Sequence, residues 1–304
     1  ANDLTVNGGI ATVNDVANNV AIDTGTVTQT GTVGGTLGVV NGGLYLGAVG
    51  ADITGAVTIN TANAGINTLH DAAAAVTLTA GKLTMNDATG GGALVTVTAG
   101  ELIMNNAAND LTVNGGIATV NDVANDLVVN KGTIVANVIG NDVTVDGANN
   151  AIVTVASVGN DVTLANAGNL SVATNIDGIV DGAGTLTLTK AGTVTGAVGG
   201  GAAVTKIVAQ ADRIFTNAVF TVTELAIEGS RKITLTAADL GATNVTTTET
   251  NRLQNIIINE DQNITGNIGT AANALGYVIA NANKGIKIGT SDFHAGIKTN
   301  TIDT

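Results

Sequence analysis

Short apolar stretches in which β-branched residues alternate with Thr recur along the chain, separated by corners of Asn, Asp and Gly. A period of two predicts strands, because successive side chains of a strand face opposite sides. The pattern is clearest from Asn109 to Val172, where one phrase occurs four times: Asn109-Asp110-Leu111-Thr112-Val113, Asn125-Asp126-Leu127-Val128-Val129, Asn141-Asp142-Val143-Thr144-Val145 and Asn160-Asp161-Val162-Thr163-Leu164. The starts lie 16, 16 and 19 residues apart, and each unit holds a second apolar stretch, at 117–120, 133–135, 152–155 and 170–172. Two strands and a corner this short cannot bury an apolar face alone, whereas stacked copies can. The expected fold is all-β: a right-handed parallel β-solenoid (β-helix) of about 16 rungs, each of roughly 16 to 20 residues, with an irregular C-terminal part.

Outside this stretch the same reading predicts strands at 19–23, 26–29, 36–40, 43–46, 56–60, 75–79, 82–86, 94–98 and 101–105. Further on, 184–189 and 192–199 alternate strictly and read as two more strands, 237–242 reads as a helical turn and 248–257 as a short irregular element. Residues 1–18 repeat residue for residue at 108–125, an offset of 107. An exact copy implies growth by duplication of long cassettes, which a solenoid accommodates because each rung touches only its neighbours. The chain opens at Ala1 in mid-repeat and without Met, which leads us to expect a piece of a longer polypeptide.

Composition supports a narrow core. Three Phe, two Tyr and no Trp leave few large side chains, whereas Val, Ile, Leu, Ala and Thr pack in columns when strands stack. Pro is absent, which suits strands that nearly all donate N–H groups to a neighbour. Without Cys there is no disulfide or thiolate chemistry, and no apolar run is long enough to predict a transmembrane segment. The net charge of −13 is uneven: residues 1–204 hold 3 basic and 15 acidic side chains, residues 205–304 hold 8 and 9. We therefore divide the chain into a repetitive acidic solenoid, 1–204, and modified rungs or a cap, 205–304. The acidity argues against nucleic acid as a partner, since phosphate binding needs clustered Lys and Arg.

Several chemistries can be weighed on the residues. His70 and His294 each have one nearby carboxylate, Asp71 and Asp292, and read as solvated turn residues, because a metal centre or triad needs more convergent ligands. Calcium is the candidate ion at the Asn-Asp corners, but the glycine-rich nonapeptide of calcium-binding β-rolls is missing, and an Asn ladder between stacked rungs is the alternative. A polysaccharide-acting enzyme needs paired carboxylates beside a sugar cleft, and residues 1–204 offer one aromatic residue, Tyr45, as a platform. Thr-x-Thr pairs such as Thr77/Thr79 and Thr96/Thr98 suggest an ice-binding face, but they are irregularly placed. No catalytic, cofactor or metal residue is assigned. Partner contact is expected where Phe and Arg concentrate, at Arg213, Phe215, Phe220, Arg231 and Arg252.

Two segments, GTLTLTKAGTVTGAVGG (184–200) and ITGNIGT (264–270), resemble passenger regions of rickettsial-type autotransporter surface antigens of the outer-membrane-protein-B kind. The resemblance covers mainly 176–289. It implies an extracellular or outer-surface β-helical protein, a non-catalytic adhesin passenger or surface-coat component whose partner is a host-cell or neighbouring-subunit surface. Exposed strand edges at the ends of a solenoid add a further expectation, a homo-oligomer or fibre built by end-to-end stacking.

Overall fold

The computed structural model describes residues 3–90, 93–281, 283–289 and 292–299. It is all-β, a solenoid of about 16 turns in parallel sheets. Among the described residues the only helical element is one 3-10 turn, Gly147–Asn149. Contacts group the chain into two compact units, Ala1–Asn141 with Ala151–Val153, and Asp142–Asn150 with Thr154–Thr304.

In the first unit each turn contributes one strand to each of two sheets. One sheet stacks Leu4–Val6, Val20–Ile22, Leu37–Asn41, Val57–Thr61, Val76–Ala80, Val95–Val97, Leu111–Val113 and Leu127–Val129 in that order. The other stacks Ile10–Val13, Thr26–Gln29, Leu44–Gly47, Ile66–Ala72, Lys82–Ala88, Glu101–Ala107, Ile117–Val123 and Thr133–Ile139. The pairing puts like on like: Val20, Leu37, Val57, Val76, Val95, Leu111 and Leu127 form one inward column, each residue almost fully buried. A one-residue slip would turn such a column to solvent, so burial fixes the register.

Within the first unit one strand, Ile66–Ala72, is absent from the sequence-based expectation. Its Asn67 points inward and is fully buried, which breaks the apolar pattern. Asn67 compensates by accepting from the Tyr45 N–H (2.9 Å) and donating to the Lys82 carbonyl (3.1 Å), so its amide bridges three consecutive turns. Beside it the hydroxyl of the buried Tyr45 donates to Gln29 Oε1 (3.2 Å), and Gly47 leaves room for the ring: a Cβ there would lie 2.9 Å from Tyr45 Cε1. Burial pushes the Tyr45 hydroxyl pKa upward, and the charge of Asp52 adds to this.

In the second unit Val143–Asp146, Val162–Ala165 and Val180–Asp181 stack, and Asn169–Val172, Thr185–Leu188, Val204–Ala209, Val222–Ile227 and Asn244–Thr246 form a second sheet. A third column, joined by the single bridges Val158↔Ile176 and Ile176↔Val194, continues as paired strands: Gly192–Val194, Arg213–Phe215, Lys232–Leu235, Asn255–Ile258, Tyr277–Ala280 and Gly296–Thr299. The expected strand 192–199 stops at Val194. Gly196 lies against the preceding turn, where a Cβ would meet the Gly178 carbonyl oxygen at 1.9 Å, so the chain turns a corner there. The helical turn expected at 237–242 is also absent. Ala238 and Leu240 are buried, and the backbone between them bonds to the next turn: Leu240 N–H donates to Gln262 Oε1 and Gln262 Nε2 donates to the Ala238 carbonyl, both at 2.8 Å. Those bonds occupy the groups a helix would pair internally. The stretch expected to be irregular, 248–257, is so up to Gln254, and its last residues join the strand Asn255–Ile258.

Candidate functional sites

At a corner the sheet ends, and N–H groups that would continue the ladder face no carbonyl. The Asn-Asp phrases supply the missing acceptors. Asp3 Oδ1 accepts from the N–H and the side-chain amide of Asn19, both at 3.2 Å. Asp126 N–H donates to Asp110 Oδ1 (3.3 Å) and Asn141 Nδ2 to Asp126 Oδ1 (2.6 Å). In the second unit Asp142 Oδ1 accepts from Asn160 Nδ2 (2.7 Å) and Asp161 N–H (3.0 Å), and Asp161 Oδ1 from Ile179 N–H (2.7 Å). Each carboxylate is thus bonded to the turn that follows. An amide-to-amide step also occurs, Asn130 Nδ2 to Asn114 Oδ1 at 2.8 Å, but Asn141 and Asn160 donate to carboxylates and Asn109 Nδ2 to the Gly90 carbonyl (2.6 Å). A calcium ion there would compete with these donors.

A second column of such residues borders the longer strands of the first unit. The pairs Leu69↔Met85 and Asp71↔Asp87 bring His70 level with Asn86. The pairs Met85↔Met104 and Asp87↔Asn106 bring Asn86 level with Asn105, and the next turn places Asn121 there. Asn86 Nδ2 donates to Asp71 Oδ1 (3.0 Å) and Asn137 Nδ2 to Asp122 Oδ1 (3.3 Å), each reaching the turn before. His70 occupies an Asn position in this ladder. Its Nδ1 lies 2.7 Å from Asp52 Oδ1 on the preceding turn and 3.6 Å from Asp71 Oδ2. The hydrogen bond to Asp52 raises the imidazole pKa, with further support from the charges of Asp71, Asp52 and Asp87 and partial opposition from burial. His70 is therefore a strand residue bonded across turns, not the solvated turn residue the sequence suggested. Asp52 escaped that reading because it lies 18 residues earlier, where only the turn repeat brings it alongside.

The five expected partner residues separate sharply. Arg213, Phe215 and Phe220 are buried and closed to a partner. The two rings pack edge to face, 5.0 Å between centroids. The Arg213 guanidinium donates to three consecutive carbonyls, those of Val172 (3.3 Å), Ala173 (2.8 Å) and Thr174. Burial pulls its pKa down to about 10. Arg213 pairs with Gly192 in the ladder, and a Cβ on Gly192 would lie 2.7 Å from Arg213 Nη1, so the glycine provides its space. Arg231 and Arg252 are exposed. Arg252, in left-handed backbone conformation (φ 55°), borders a cavity of about 470 Å³ with Tyr277 and His294.

A neighbouring cavity of about 570 Å³ is lined by Glu224, Asn244, Thr246, Asn267, Asp292 and His294. The Thr246 hydroxyl (2.6 Å) holds the Glu224 carboxyl below its ordinary value near 4.5, and Lys206 (3.0 Å) contributes while partial burial opposes. A depressed carboxyl pKa stabilises the fold above the unfolded-state value, and that stability is lost as pH falls through the folded-state value. Wild-type melting temperature is therefore expected to fall more steeply than that of Glu224→Gln on acidification from about pH 5. Parallel thermal melts check this, and superimposable pH profiles would refute it.

Columns of like residues, Asx-bridged corners and parallel strands define a β-solenoid repeat protein. No family model, curated protein or solved structure matches the chain.

Proposed function

We propose that this is a non-catalytic structural repeat protein of an outer surface or extracellular setting, an adhesin passenger or coat component whose repetitive turns act as a spacer. The observation that carries this reading is the duplicated block. In one copy Leu4, Thr5 and Val6 pair with Val20, Ala21 and Ile22; in the other the identical Leu111, Thr112 and Val113 pair with Leu127, Val128 and Val129. The second strands behave likewise, Ile10–Val13 on Thr26–Gln29 and Ile117–Val120 on Thr133–Ala136. One sequence thus stacks in the same register on two different successors. Turns that accept different neighbours can be added or removed without redesign, which suits a part whose function is span. Partner contact then falls to the exposed Arg231 and Arg252 and to the groove beside Arg252 and Tyr277.

Two variants test this. Deleting residues 110–125 joins Asn109 to Asp126 and restores an Asn-Asp corner. The shortened chain is expected to fold cooperatively and to bind cells or neighbouring subunits as the parent does, whereas an Arg231→Ala, Arg252→Ala double variant is expected to fold normally and bind less. Loss of binding on deletion, with the double variant unaffected, would overturn the spacer assignment.

A further inference from the structure

We propose that Asp52, His70 and Asp71 form a binding site for one divalent transition-metal ion of the zinc class, clipping two consecutive turns together. Three donor atoms, one imidazole nitrogen and two carboxylate oxygens, lie within 4.8 Å of one another. Ligand atoms sharing a tetrahedral zinc at 2.0–2.2 Å stand roughly 3.3 Å apart. The observed separations of 2.7 Å and 3.6 Å for His70 Nδ1 bracket that value, and the two carboxylate oxygens lie no more than 4.8 Å apart, within reach of side-chain rotation.

The supporting atoms are arranged for ligation. Asp71 Oδ1 is engaged by Asn86 Nδ2 (3.0 Å) and by the Asp87 N–H (3.1 Å), which leaves Oδ2 as the oxygen turned toward His70. Fixing one carboxylate oxygen orients the other, as outer-shell bonds do in metal sites. The main chain is held too: Ile53 N–H donates to the Asp71 carbonyl and Ala73 N–H to the Ile53 carbonyl, both at 2.9 Å, so Asp52 and Asp71 ride on paired backbone. Solvent reaches all three side chains, which are 50, 27 and 24 % exposed for Asp52, His70 and Asp71.

The ladder provides an independent argument. The pairs Ile53↔Ala72 and Asp71↔Asp87 stack Asp52, Asp71 and Asp87 on three successive turns. Strands stack about 4.8 Å apart, so three carboxylates in this column repel one another. On later turns the column is Asn106 and Asp122. The imidazole, a far better ligand than an amide, replaces Asn at the turn where the negative charge is densest. One nitrogen and two oxygens favour zinc, cobalt or nickel over calcium, which takes six to eight oxygens. Binding frees the Nδ1 lone pair, an imidazolium releasing that proton to water and a neutral ring carrying its proton on Nε2 instead, and it replaces the Asp52–His70 hydrogen bond with two metal–ligand bonds; water completes the coordination.

The test is calorimetric titration of the chelator-treated protein with zinc chloride, together with cobalt(II) absorption spectra. One equivalent of zinc is expected to bind, with a matching rise in melting temperature, and cobalt is expected to give the visible bands of a low-coordinate nitrogen–oxygen site. His70→Asn keeps the ladder amide found on neighbouring turns, so the fold survives, and zinc affinity is expected to drop at least about tenfold. Asp52→Asn is expected to weaken zinc similarly, and His294→Ala to leave it unchanged. Failure of wild type to bind zinc at millimolar concentration, or equal binding by folded His70→Asn, would overturn the proposal.

Discussion

Replacing Arg213 with Met is expected to destabilise the protein by about 3–5 kcal/mol, because the side-chain volume is largely kept while the Val172, Ala173 and Thr174 carbonyls lose their donors. Each buried acceptor left without a partner costs about 1–3 kcal/mol, and the three losses overlap rather than add. Arg213→Lys retains charge but offers no planar fork, so it is expected to fall between Met and wild type. Urea denaturation of the three proteins measures the series. A Met variant as stable as wild type would show that the arginine fills space and that its hydrogen bonds contribute nothing net. The effect belongs to a particular place: the column of single bridges through Val158, Ile176 and Val194 widens there into the paired strands Gly192–Val194 and Arg213–Phe215. A guanidinium reaching back to residues 172–174 ties the widened strands to an earlier turn.

Gly116→Ala is expected to cost far more than Gly50→Ala, although both glycines hold a left-handed backbone conformation at a corner. Their φ angles, 83° at Gly50 and 75° at Gly116, carry a similar left-handed cost for alanine, about 1–2 kcal/mol. A Cβ on Gly50 meets nothing within 4 Å, whereas one on Gly116 meets the Gly100 carbonyl oxygen at 2.4 Å and the Ala99 carbonyl carbon at 2.9 Å. Backbone cannot yield as a side chain can, so the contact adds about 1–3 kcal/mol or more. The difference isolates the cost of crowding two stacked turns. Equal midpoints for both variants in urea would mean that the turns separate at little cost.

The repeat was legible because a stacked strand leaves its period in the chain: the four Asn-Asp phrases between Asn109 and Val172 mark corners, and most expected strands lie within two residues of observed ones. Ile66–Ala72 was not legible, because Asn67 is polar at an inward position and only Tyr45 and Lys82, on the turns before and after, make it acceptable. The same limit applied to Arg213. A positive charge beside Phe reads as a surface contact, and nothing local reveals that three carbonyls some forty residues earlier await it. His70 shows the intermediate case. Its carboxylate neighbour in sequence, Asp71, was visible, while Asp52 became visible only once the length of that turn was known.

Pairing between successive turns bears on how the chain acquires its structure. In the paired strands each residue meets its partners one turn away, so all but a few of the ladder contacts close loops of similar, short length. Closure entropy is then paid in near-equal instalments rather than at one demanding step. Folding of such a chain proceeds as a zipper: a nucleus of a few turns forms, and a boundary between ordered and disordered chain advances turn by turn. A weak turn, such as one missing its Asx bridge, stalls that boundary without dissolving what has already formed.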